Sequence, residues 1–366
     1  MSPLPRWSLG LFALAVLFFA SLKAETLSYA QTADRGADLQ HAIRLQDVKR
    51  WLLLLNNPLE NEVIARIAAS RHDMVVIDFL SSIKGREALN MRETVARLRA
   101  RDSNAPRLVI AYLNIGQAED YRTYWRANWR PGNPGFIISD DPDGWAGNFP
   151  VAYWDPRWQQ ILTGEGGLID QIAAAGFDGL YLDWVGGFEF EPVVARARAA
   201  GIDPADAMTA LVANVSARMK ALRPGAIIIP QNAPLLWQRD DFLAAIDAVV
   251  QEHTWFSGTD DNAMLGDCPL PRNEEEAAGS PAYLASLPPL CLKDWRENSG
   301  SSLRYESEAY LLPLFARARA AGKIVFTVDY ALKPENIARV TSQSRGHGFV
   351  PFVGARPLTD YVEPLP

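Results

Sequence analysis

Four short apolar runs in this chain end, or nearly end, in a carboxylate: Met74 to Asp78, Gly179 to Asp183, Ala248 to Glu252 and Ile324 to Asp329. Burying an unpaired carboxylate costs several kcal/mol, so acids closing otherwise apolar segments belong at the mouths of buried strands rather than in their middles. Asp183 and Glu252 stand out as a catalytic pair, since they would end alternate strands and face one another with one strand between them. Two carboxyls flanking a bond suit glycoside hydrolysis. One, kept protonated, protonates the leaving oxygen, and the other attacks carbon or activates water. A separation of about 5 to 5.5 Å favours retention of configuration and about 6.5 to 9.5 Å inversion.

Other residues near the same strand ends could hold a substrate. Asp78 and Asp329 read either as binding groups or as ordinary ion pairs, with Arg122 or Arg356 reaching in from loops. Asn114, Gln117, Glu119, Gln231 and Asn232 offer hydrogen-bonding groups suited to sugar hydroxyls or an amine. Tyr112, Trp125, Trp145, Tyr153, Trp154, Trp184, Trp255 and Phe256 offer flat faces for sugar rings, although at least half of these aromatics should pack as core, with Trp51 and Trp158. Strand alternation turns His253 away from the side Glu252 faces.

Rival chemistries lack their motifs. The four histidines show no His-x-His or His-Glu-x-x-His spacing, and no nucleophile elbow, phosphate loop or dinucleotide fingerprint occurs. Neither a metal nor a cofactor is expected, although a hard cation on these carboxylates would be the chemically sensible exception.

The elements that must position these groups alternate. Strand signals cover Trp51–Leu55, Met74–Phe79, Leu108–Leu113, Gly179–Asp183, Ala226–Gln231, Ala248–Glu252, Lys323–Tyr330 and Gly348–Val353. Between them, Glu60–Ala69, Arg86–Arg101, Asp206–Leu222 and Glu308–Ala321 carry apolar residues at helical spacing. Repeated strand–helix units predict an α/β chain folded as a single (β/α)8 TIM barrel over residues 45–360, a reasonable use of 366 residues with 48% hydrophobic content. Long loops are expected after the third and sixth strands, at 129–158 and 256–305, both on the face where the strands end. The run Glu274 to Glu276 reads as a solvated face.

Arg6, the apolar run Leu9–Ala20 and the small residues after it resemble an export signal over 1–24, cut between 20 and 30 and too short for a stable membrane anchor. The formal net charge of −7 becomes more negative once Arg6 and Lys23 leave with that segment. Such acidity speaks against a nucleic-acid partner. Nothing specifies an oligomer. Cys268 and Cys291, the two cysteines, lie in one insertion of an exported chain and read as a disulfide stapling it.

Several of these segments together resemble glycoside hydrolase family 114, the endo-α-1,4-polygalactosaminidase-like proteins: Val109 to Arg122, Tyr153 to Trp158, Gly176 to Asp183, Gln231-Asn232, Gln251-Glu252, Val328 to Tyr330 and Gly348 to Gly354, in family order. The resemblance implies a (β/α)8 barrel, cleavage within α-1,4-linked galactosamine-containing polysaccharides, and a catalytic pair at Asp183 and Glu252. By similarity to other α-glycosidase barrels, Asp183 is the nucleophile and Glu252 the acid/base. One departure stands at Asn114-Ile115-Gly116-Gln117, where the family pattern usually reads Ser-Ile-Gly-Glu. It weakens the expectation of a strongly cationic substrate and leaves open a second reading, a polysaccharide-binding barrel without catalysis. A structural role in polysaccharide export has no dedicated docking helix to support it.

Overall fold

A computed structural model describes residues 45–100, 106–142, 144–257, 267–298 and 306–366. The export signal expected over 1–24 and its cleavage region lie outside the described residues.

All eight expected strands form: β1 Trp51–Leu54, β2 Met74–Asp78, β3 Leu108–Asn114, β6 Gly179–Asp183, β7 Ile227–Pro230, β8 Ala248–Glu252, β11 Ile324–Tyr330 and β12 Val350–Gly354. Four short strands lie between them: β4 Gln117–Glu119, β5 Asn148–Pro150, β9 Phe256–Ser257 and β10 Cys268–Pro269. The eight are parallel and make a five-stranded sheet ordered β1-β2-β3-β6-β7 and a three-stranded sheet ordered β12-β11-β8. Neighbours in space are neighbours in sequence throughout. The sheets meet at one parallel bridge, Gln231 to Val250, and on the other side the Trp51 indole Nε1 donates to the Val350 carbonyl at 3.1 Å. Pairing is therefore interrupted at two places where a closed barrel has a continuous ladder.

Near-continuous apolar strands require cover on both faces, and helices supply it. Asn61–Ala69 buries Ile64 and Ile67, and Pro204–Leu222 buries Met208, Leu211, Val212, Val215 and Met219. Their starts follow local chemistry. Asp155 and Asp203 accept from the backbone of the first turn, each followed by a proline at the first helical position. The helix expected from Arg86 begins only at Met91, because Asn90 caps it by accepting from the Glu93 N–H.

The two insertions are more ordered than expected. β4 and β5 pair antiparallel within the first excursion. The second carries the antiparallel β9–β10 pair and helices Glu274–Ala277, Pro281–Ser286 and Pro289–Asn298, with Cys268 bonded to Cys291. The Glu274 to Glu276 run is no uniform solvated face: Glu276 is buried against the Arg272 guanidinium, and the Ser307 hydroxyl donates to Glu274 at 2.6 Å. Among the described residues, no helix is long and apolar enough to cross a membrane.

Candidate active site

The strand ends open into a cleft of about 640 Å³, and both Asp183 and Glu252 line it. Asp183 closes β6. Its Oδ2 accepts from the Tyr112 hydroxyl at 2.5 Å and its Oδ1 from the Trp184 backbone N–H at 2.7 Å. Glu252 closes β8. One of its carboxyl oxygens accepts from the Tyr330 hydroxyl and the other from Gln231 Nε2 at 2.6 Å, while Asn232 Oδ1 takes the Glu252 backbone N–H. Neither acid pairs with an arginine or lysine among the described residues.

The two carboxyls feel one another. Burial, together with the charge of Glu252, pushes Asp183 up to about 7, against the opposing hydrogen bond from Tyr112. A like charge so near disfavours the ionised form of Asp183.

The backbone turns sharply just beyond each acid. Trp184 and His253, the residues that follow Asp183 and Glu252, have φ of 58° and 55°, and Asn232 beyond β7 has 58°. Left-handed non-glycine residues cost roughly 1 to 3 kcal/mol each and gather where a site over-determines them. Gly116 makes the first turn sterically feasible: a Cβ there would lie 2.4 Å from the Trp184 carbonyl oxygen. Gly187 does the same for the indole, whose Cε3 a Cβ would meet at 2.7 Å.

The other expected site residues separate into two groups. Asp78, Tyr112, Gln117, Trp184, Asn232 and Arg356 line the cleft with the acid pair. Asp78 is engaged, however: Arg122 Nη1 donates to it at 2.8 Å and Arg122 Nε donates to Glu119 at 2.7 Å, so one buried guanidinium serves two buried acids. Glu119 and Asn114 do not line the cleft; Asn114 is a buried brace whose Nδ2 donates to Gln117 Oε1 at 2.9 Å.

Asp329, Trp255, Tyr153 and Trp154 also lie off the cleft. Asp329 accepts from the Trp255 and Phe256 N–H groups at 2.6 and 2.9 Å, which folds the segment leaving β8, and its own burial pushes it up to about 7. Strand alternation explains the change of side, because the next residue, Tyr330, faces the cleft instead. The Trp255 indole donates to Ser344 Oγ and stacks on His347, and the Tyr153 hydroxyl donates to the Pro204 carbonyl.

His253 overturns the alternation argument. Its Nε2 lies 3.9 Å from Glu252 Oε2 and the ring lines the cleft, because the left-handed φ takes it out of the strand's phase. Burial, reinforced by the charge of Arg356, pulls this imidazole down to about 4 despite Glu252, so it is neutral at pH 7. Tyr330 escaped the sequence reading although it sits beside Asp329, and its partner is visible only in three dimensions. Glu189, Glu306 and Tyr310 line the far end of the cleft and were missed as well; burial and then the charge of Glu189 push Glu306 up to about 8. Among the described residues, no group of three or more His, Cys, Asp or Glu side chains is arranged to hold a metal ion.

A parallel α/β fold with two neighbouring carboxyls in an aromatic-lined cleft at its strand ends is an arrangement suited to cleaving carbohydrate. The chain belongs to glycoside-hydrolase family GH114, whose family model matches residues 40–365. An uncharacterised protein of Deinococcus radiodurans is 33% identical over 252 residues, 69% of this chain and 65% of that protein. Another, from Thermotoga maritima, is 32% identical over 197 residues, 52% of this chain and 57% of that protein. The chain thus matches somewhat under two thirds of the length of each. Two solved structures share the fold. Aspergillus fumigatus Ega3, in complex with galactosamine, has a TM-score of 0.53 at 16% identity, covering 86% of this chain and 94% of that one. The glycoside hydrolase domain of PelA from Pseudomonas aeruginosa has a TM-score of 0.54 at 15% identity, covering 86% and 97%.

Proposed function

We propose that this protein is an exported, endo-acting, retaining glycosidase of α-1,4-linked galactosamine-containing polysaccharides, built on eight strands that close into a (β/α)8 barrel. The observation that carries the reading is the placement of Asp183 and Glu252 in one cleft, each hydrogen-bonded, neither paired with an arginine or lysine among the described residues, with the charge of Glu252 acting on Asp183. Closure is favoured by the cyclic strand order and by the contacts from β7 to β8 and from β1 to β12. Export is favoured by the signal-like first residues and the Cys268–Cys291 bond. The family and the galactosamine held by Ega3 favour the substrate class.

The partners of the two acids favour their division of labour. Asp183 receives a backbone N–H, which can only donate, and that partner suits a group used as an anionic nucleophile. Glu252 is held by an amide and a hydroxyl, both of which can also accept a hydrogen bond, so it can carry a proton without two donors facing each other. Glu252 protonates the leaving oxygen as Asp183 attacks the anomeric carbon, and the resulting carboxylate then draws a proton from the water that releases the sugar.

The test is digestion of a partially deacetylated α-1,4-galactosamine polymer, followed by new reducing ends and by the anomer first released. Asp183→Asn and Glu252→Gln should each lower turnover on the order of 10² to 10⁴-fold, the range for removal of acid–base groups, with unchanged thermal unfolding. Unaltered turnover in either variant refutes the pair. Binding without new ends by the unaltered protein would favour the non-catalytic reading.

A further inference from the structure

The cleft has a side wall that the acid pair does not explain. Gln117 lines it yet is almost wholly buried, and each end of its amide is engaged. Its Oε1 accepts from Asn114 Nδ2 at 2.9 Å and from Asn148 Nδ2 at 3.4 Å, and those two donors leave Nε2 to face Asp141, donating to Oδ1 at 2.5 Å. The other oxygen of Asp141 accepts the Trp145 backbone N–H at 2.8 Å. A continuous relay therefore runs from Asn114, the register partner of Asp183, through Gln117 and Asp141 to Trp145. Trp145 is half-buried and lines the cleft, as does Trp184.

We propose that this relay builds a sugar-binding subsite, with Trp145 as the stacking platform for one pyranose ring of the polymer and Gln117 as the residue that positions it. The proposal rests on the polysaccharide reading of the cleft. An indole presents a wide, polarisable face at low entropic cost, and the C–H face of a pyranose is its natural complement. The relay also dictates which side chain can stand at 117. An amide of this length both accepts from two asparagines and donates to a carboxylate, whereas an ionised carboxylate there would set two anions within hydrogen-bonding distance. Asp141 is consumed as scaffold, with one oxygen given to each neighbour. The charge next to the platform is therefore spent on holding the loop and is not offered to substrate.

The experiment pairs activity with direct binding of α-1,4-galactosamine oligosaccharides measured by calorimetry. Trp145→Ala should raise KM and the dissociation constant on the order of tenfold, with kcat within about threefold of the unaltered protein, because stacking distant from the reacting bond is uniform binding. Gln117→Glu should reproduce that rise by repelling Asp141. The double variant Gln117→Glu with Asp141→Asn restores a donor–acceptor pair in the opposite sense and should recover most of the affinity. Wild-type affinity in Trp145→Ala overturns the platform, and a double variant no better than Gln117→Glu overturns the relay. If the unaltered protein binds these oligosaccharides without cutting them, the hydrolytic reading fails while the binding arm still decides the subsite.

Discussion

Asp183 and Glu252 are alike in sequence, each an acid closing a short apolar strand, and their surroundings make them unlike. Asp183 is pushed up to about 7 by burial first and by the charge of Glu252 second. As the proposed nucleophile it must be ionised to react, so kcat/KM should rise as pH rises through about 7. Removing the partner's charge acts in the opposite direction: in Glu252→Gln, Asp183 should titrate lower than in the unaltered protein. Carboxyl carbon chemical shifts followed against pH measure both effects, alongside the rate profile. A rate profile flat through about pH 7, or an Asp183 titration unmoved by Glu252→Gln, would contradict this account. Arg122 makes the useful contrast, since it pairs with Asp78 and Glu119 and with neither Asp183 nor Glu252.

At the level of elements, the site is made by the turns that follow the strands. β6 and β8 deliver their acids on the side that faces the cleft, and the chain then enters the left-handed region at Trp184 and His253, which lets consecutive residues share one side of the cleft. Gly116 is the point where the turn after β3 crosses the turn after β6. Gly116→Ala would drive a methyl carbon to 2.4 Å from the Trp184 carbonyl, a backbone atom that cannot swing aside. Displacing it shifts Trp184, whose own N–H is held by Asp183 Oδ1. The variant should lose at least tenfold in kcat/KM, about the value of one hydrogen bond to a charged group, with an unfolding temperature lowered by a few degrees. Gly346→Ala, where no atom lies within 4 Å of the added carbon and φ is likewise not positive, is the control and should spare activity.

Across the whole molecule, the part of the β8–β11 connection around the two cysteines forms a small satellite with its own core. Cys268, Tyr283, Leu287 and Cys291 are buried together, apart from the main core. The Cys268–Cys291 bond closes a loop with a sequence separation of 23 residues, for which chain entropy corresponds to about 3 kcal/mol. Glu274 and Ala277 of the same segment line the cleft. Replacing both cysteines with serine should therefore increase proteolytic nicking between 268 and 298 and raise KM, while kcat changes little because the acid pair stands on other strands. A kcat loss comparable to that of Asp183→Asn would show that the satellite does more than wall the cleft.

The strands were legible because their signal is local: apolar runs of four to seven residues, separated by helix-spaced segments with Asp-Pro and Asn starts, leave little choice of element. The same runs showed Asp183 and Glu252, since a carboxylate can end such a strand far more cheaply than interrupt it. What lay beyond the strand ends was not legible. Whether Asp329 or Tyr330 faces the cleft depends on the phase of pairing with β8, and His253 turns toward Glu252 only because its φ is positive. The capture of Asp78 and Glu119 by Arg122, and the Gln117–Asp141 link, join residues 44, 3 and 24 positions apart. A chain's local preferences specify its elements; which polar groups neutralise one another, and which stay available for chemistry, is decided when folding brings those elements into contact.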